Sequence, residues 1–89
     1  MTESKTAKQT MHVKVYSPYQ VYLDQGDCYS ISAVNATGPF DILPHHHNFI
    51  TLLLACELVV HTVSGFRRIR ITRGVMHVKS DHVIVFLDV

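Results

Sequence analysis

The run ELVVHTVSGFRRIRITRGVMHVKSDHVIVFLDV, Glu57–Val89, decides the class of fold. Apolar and polar residues alternate through most of it, a period of two that belongs to extended chain rather than helix. In FRRIRIT the alternation sets Ile69 and Ile71 on one face and Arg68 and Arg70 on the other. Ser64-Gly65 interrupts the first half and Ser80-Asp81 the second, so the stretch reads as two successive hairpins. The closing HVIVFLDV is apolar on both faces, which predicts a central strand covered on both sides.

The same pattern extends toward the N-terminus. MHVKVYS places Val13 and Val15 on one face and His12, Lys14 and Tyr16 on the other. Pro18 separates it from the short run QVYLD, and Gln25–Asp27 (QGD) reads as a turn. CYSISAV alternates again, with Tyr29, Ile31 and Ala33 opposed to Cys28, Ser30 and Ser32. NATGP, Asn35–Pro39, is the strongest turn cluster, and FDIL is a short strand ended by Pro44. NFITLLLA fits either a strand or a helical turn, which periodicity does not separate in so short a run. About nine to ten short strands, with turns every 8–12 residues or so and no long helix, predict an all-β fold. The expected form is a small antiparallel β-sandwich or flattened barrel over residues 11–89, after a flexible polar lead at 1–10.

Eighty-nine residues make one domain, and a 47% hydrophobic share is enough for a modest core. The longest apolar run, FITLLLAC, lies between Asn48 and Glu57 and falls short of the roughly 18 residues that cross a bilayer. The N-terminal MTESKTAKQT has no apolar core of a secretory signal. A formal charge of +1 argues against a nucleic-acid partner. Arg67, Arg68, Arg70 and Arg73 then read as a solvated face or a charged sheet edge. Cys28 and Cys56 lack CxxC spacing and, without an export signal, read as reduced, buried thiols of a cytosolic protein.

Nothing points to catalysis. There is no GxSxG elbow, no phosphate-binding glycine loop and no singled-out carboxylate pair, so neither an enzyme nor a cofactor is expected. Histidine is the exception in composition, with 7 residues, three of them consecutive in GPFDILPHHHNF (Gly38–Phe49). Neighbouring side chains of an extended segment diverge, so His45 and His47 share a face while His46 points away. A zinc site needs further ligands from the fold. His12, His61, His77 and His82 are candidates, each explained equally well as an outward or satisfied strand residue. A free-standing small barrel binding a metal or small ligand through histidines therefore stands as the alternative reading.

The stretch SAVNATGPFDILPHHHNFITLL (Ser32–Leu53) resembles the signature loop of the epsilon subunit of F-type ATP synthases. Gly38, Phe40, Asp41, Ile42, Leu43, Pro44 and His46 match that family's order. Gly74, Val78, Val83, Val85 and Asp88 match its closing hairpin, and VKVYSPYQVYL (Val13–Leu23) is similar to its first two strands. His45 stands where the family has a glycine, and Arg73 replaces the first glycine of the closing hairpin. The family's two-helix C-terminal domain begins where FLDV ends, so no helical hairpin is expected within this chain.

The resemblance implies a non-catalytic central-stalk rotor subunit that couples ion translocation to ATP synthesis. It would bind the gamma subunit and seat on the c-ring, without inserting into the membrane, on the cytoplasmic face of the inner or plasma membrane. Its implied contact residues are Thr37, Gly38, Pro39, Phe40, Asp41, Ile42, Pro44, His45, His46 and His47. Gly38 and Pro39 would shape the turn, Phe40 and Ile42 would fill the core or the gamma interface, and Asp41 and the histidines would offer polar contacts.

Overall fold

A computed structural model describes residues 9–45 and 47–87. Most of the expected lead, together with His46 and Asp88, lies outside the described residues. The described chain forms eight strands: β1 (Met11–Tyr16), β2 (Val21–Asn35), β3 (Gly38–Ile42), β4 (Phe49–Leu53), β5 (Cys56–Thr62), β6 (Gly65–Ile71), β7 (Gly74–Lys79) and β8 (His82–Leu87). They hydrogen-bond in the order β4-β7-β8-β1-β2-β5-β6, with β3 also on β2. The run NFITLLLA, ambiguous by period, contains the strand β4, Phe49–Leu53.

The count is eight because QVYLD, QGD and CYSISAV are not two strands and a turn. They form the single 15-residue strand β2. Its N-terminal half pairs with β1 through Met11↔Cys28, and its C-terminal half pairs with β3 from Ile31↔Ile42 onward. β5 occupies the opposite edge, from Cys28↔Thr62 to Ser32↔Val59. β1 and β3 therefore sit end to end along one edge of β2. The strand bends where one gives way to the other, with Asp27 at φ 56° and a bulge between Cys28 and Ser30. Bulges sharpen the local bend and twist. Here the bend folds the sheet into two leaves, β4-β7-β8-β1 and β3-β2-β5-β6, over one core.

That bulge also corrects the expected facing of Cys28. An extra residue on one strand reverses the alternation beyond it. Cys28 is thus fully buried beside Ile31 and Ala33, while Ser30 and Ser32 stay on the other face. The remaining alternations hold: Met11, Val13 and Val15 of β1, Leu58 and Val60 of β5, and Met76, Val78, Val83 and Val85 of β7 and β8 fill the core.

Among the described residues all strand pairings are antiparallel except one. β1 and β8 run parallel, from His12↔His82 to Tyr16↔Phe86. These strands lie at opposite ends of the chain, so no short turn dictates their direction. The pairing brings Val13 and Val15 level with Val83 and Val85 on the core side. Leu54 N–H donates to the Val34 carbonyl at 2.9 Å, and Asn35 Nδ2 donates to Thr51 Oγ1 at 3.1 Å. These bonds tie β4 to the far end of β2 and hold the leaves together.

Candidate functional site

The stretch Thr37–His47 is divided among three elements. Ala36-Thr37 is the tip of the β2–β3 hairpin, where Asn35 Oδ1 accepts from the Thr37 N–H at 2.9 Å and its hydroxyl at 2.7 Å. Gly38 takes φ 116°, a backbone open chiefly to glycine, and beyond its own chain neighbours no heavy atom lies within 4 Å of where its Cβ would stand. Pro39, Phe40, Asp41 and Ile42 then run along β3. Ile42 is 1% exposed and belongs to the core. Phe40 packs half-buried against Phe49, with ring centroids 6.4 Å apart. Asp41 is exposed and accepts from Ser32 Oγ at 2.5 Å. Of the two roles open to Ile42, the structure assigns it the core.

Pro44 and His45 form a turn at the other end of β3. His45 has φ 65°, the left-handed conformation that glycine adopts without strain. The turn is fastened to the β7–β8 hairpin. Asp81 Oδ1 accepts from the His45 N–H at 3.2 Å and faces His45 Nδ1 at the same distance. His45 Nε2 contacts Gln9 Oε1, and Asn48 Oδ1 accepts from the Ser80 N–H at 3.0 Å. His47 is exposed. Thr37 and His45 thus stand at opposite ends of a five-residue strand, on the order of 17 Å of extended chain.

The larger candidate surface is a sheet face that the two-sided apolar pattern of HVIVFLDV predicts to be covered. β8 is central in hydrogen bonding, flanked by β7 and β1, yet its second face is open. Ile84 is 40% exposed and Phe86 36%. Cross-strand register extends them into rows. Leu52, Val75, Phe86 and Tyr16 lie level across β4, β7, β8 and β1, and Ile50, His77, Ile84 and Lys14 form the next row. The Tyr16 and Phe86 rings meet edge to face at 5.2 Å. Leu52, Leu54, Val75 and Phe86, with Arg73 at the rim, line a shallow groove of about 490 Å³. The apolar composition of HVIVFLDV was the signal, but composition does not tell a covering leaf from a covering partner.

His12 and His82 lie beside this face with ring centroids 5.9 Å apart, and His12 Nε2 bonds the Asp24 carboxylate. Among the described residues no three His, Cys, Asp or Glu side chains come together to hold a metal ion, so the histidine-site alternative gains no geometric support. Both cysteines are free thiols, Cys28 buried and Cys56 half-buried. Among the described residues no helix is long and apolar enough to cross a membrane.

The sequence pattern of the ATP synthase delta/epsilon chain β-sandwich domain matches residues 10–89. An ATP synthase epsilon chain from Ruthia magnifica subsp. Calyptogena magnifica is 33% identical over 79 residues, covering 89% of this chain and 56% of that protein. Another, from Geobacter metallireducens, is 29% identical over 80 residues, covering 90% of this chain and 57% of that one. The chain therefore spans little more than half the length of these curated relatives. Among solved structures, a chain in the central stalk and c-ring of the Tetrahymena thermophila mitochondrial ATP synthase superposes with a TM-score of 0.74 at 22% identity, over 92% of this chain and 66% of that chain. A chain of the Euglena gracilis mitochondrial ATP synthase gives a TM-score of 0.80 at 17% identity, over 88% of this chain and 50% of that chain. These two likenesses show a shared fold.

Proposed function

This chain belongs to the delta/epsilon family of ATP synthase subunits, and we propose that it is a non-catalytic central-stalk rotor component that binds the gamma subunit and seats on the c-ring. The observation that carries the reading is the open apolar face of β4, β7, β8 and β1. A contiguous patch of large apolar residues on a small domain marks an interaction site. Here it lies on the strands that build the core from their other side. A partner docked on Leu52, Val75, Ile84 and Phe86 is thereby fixed to one rigid body, which suits transmission of torque. We assign this face to gamma.

The segment of Pro44, His45, His46 and His47 is assigned to the polar loops of the c-ring, supported by the fastening of the Pro44-His45 turn to Asp81. The β2–β3 hairpin, with Thr37, Gly38 and Pro39, flanks the contact, as does the exposed Asp41. Phe40 and Ile42 act from beneath, by holding β3 on the core. In this role the protein couples ion translocation to ATP synthesis without bond chemistry of its own. Its place is peripheral, on the cytoplasmic face of the membrane that carries the complex.

Co-purification with the cognate gamma subunit and c-ring tests the proposal. Retention of both by the wild-type chain, and loss of gamma alone on Leu52→Glu, is the expected pattern. Failure to retain gamma at low and at moderate salt refutes the assignment.

A further inference from the structure

Strand β6 closes one end of the strand order, and among the described residues no strand pairs with its second edge. The outward half of its backbone amides and carbonyls is open to an added strand. The side chains beside that edge are unusually one-sided in charge. Phe66, Arg68 and Arg70 stand on the outer face, level with His61, Val59 and Glu57 of β5, while Arg67 alternates with them. Glu57 is the sole carboxylate on these two strands, and its Oε1 lies 3.5 Å from Arg68 Nη1.

Two features make this edge selective. A second copy paired edge to edge would set arginine against arginine, and like charges placed opposite each other destabilise a sheet. The edge thus rejects itself. Second, Arg68 is held in position: its guanidinium lies 5.8 Å over the Phe66 ring, which stacks on His61 at 4.5 Å and 16°. Tyr29 meets His61 edge to face at 5.1 Å and continues the ladder onto β2. A cation already ordered loses less freedom when a carboxylate binds it.

We propose that the open edge of β6 takes up an extended acidic segment of a partner polypeptide as an added strand. Carboxylates at alternate positions face Arg68 and Arg70, and the apolar residues between them lie alongside Ile69 and Ile71 on the core side. This contact is separate from the apolar face of β8 and from the His45 turn, so it holds or fails independently of the rotor assignment.

The test is a nuclear magnetic resonance titration of the isotope-labelled chain with a short blocked peptide alternating glutamate and valine. A peptide alternating lysine and valine serves as the control. The acidic peptide is expected to shift the β6 amides and slow their hydrogen exchange, more weakly as salt rises. The double variant Arg68→Glu/Arg70→Glu should bind it about a hundredfold more weakly, roughly tenfold for each attraction turned into repulsion. The same variant should gain binding to the lysine peptide, and a dispersed amide spectrum checks that it remains folded. The proposal is overturned if β6 amides do not respond, if both peptides act equally on the wild-type chain, if the response centres on β4 or Phe86, or if the double variant keeps its parent's preference.

Discussion

Replacing His45 by glycine and, separately, by alanine isolates the strain in the turn that fastens β3 to Asp81. Both variants remove the ring, and with it the contacts to Gln9 and to Asp81 through Nδ1. Both retain the backbone N–H that donates to Asp81. What differs is the response to φ 65°. A residue with a Cβ pays roughly 1–2 kcal/mol in the left-handed region, whereas glycine adopts it freely. Against this, alanine restricts the unfolded chain, worth about 0.4–1 kcal/mol in its favour. The difference leaves the glycine variant more stable by roughly 0.5–1 kcal/mol. For a domain of this size that is a melting temperature higher by about 3–6 °C. Urea unfolding at fixed pH, with equal slopes for both variants, measures the gap directly. In an ordinary strand the order reverses, because glycine weakens a strand interior. An alanine variant equal to or more stable than the glycine variant therefore refutes the left-handed assignment, and with it the reason that glycine suits this place.

Other outcomes are equally definite. Gly74→Ala should cost about 1–3 kcal/mol in urea unfolding, since its Cβ would lie 2.7 Å from the Phe86 carbonyl oxygen and 3.1 Å from Leu87 Cδ2; a neutral result would show that β7 and β8 separate freely. Leu52→Glu, at a side chain 70% exposed, should change stability by no more than about 0.5 kcal/mol while gamma is lost from co-purification. A large loss of stability would instead mean that Leu52 is covered within the chain. Burial pushes the Cys28 thiol above its ordinary 9.0, opposed in part by a backbone hydrogen bond from Val13 and reinforced by the charge of Asp27. Below that value the thiol is protonated folded and unfolded alike; as pH rises past it the unfolded chain ionises first, so stability falls. The wild-type urea midpoint should accordingly drop more steeply above pH 9.0 than that of Cys28→Ala, and an iodoacetamide mass assay should label Cys56 before Cys28.

Local alternation was enough to establish an all-β chain, because each half-buried strand writes its own facing into every second residue. It placed Val13 and Val15 inside and Arg68 and Arg70 outside, and it found the Ser64 and Ser80 turns. The order of motifs around Gly38, Pro44 and Gly74 was likewise legible, as was the oddity of His45 in a glycine's place.

Tertiary structure decided what depends on contacts remote in the chain. Whether Gln25–Asp27 is a turn or a bend rests on β1 pairing across it, and the bulge against β5 just beyond, between Cys28 and Ser30, is what sets Cys28 on the core side with Ile31. The parallel match of β1 with β8 joins the two ends of the chain, which no local pattern encodes. The separation of Thr37 from His45 follows from β3 pairing along β2 rather than looping off it. The same holds for the second apolar face of HVIVFLDV. Its residues are equally hydrophobic whether another leaf or another protein covers them, and only the arrangement of the other strands shows that, among the described residues, the face is left open.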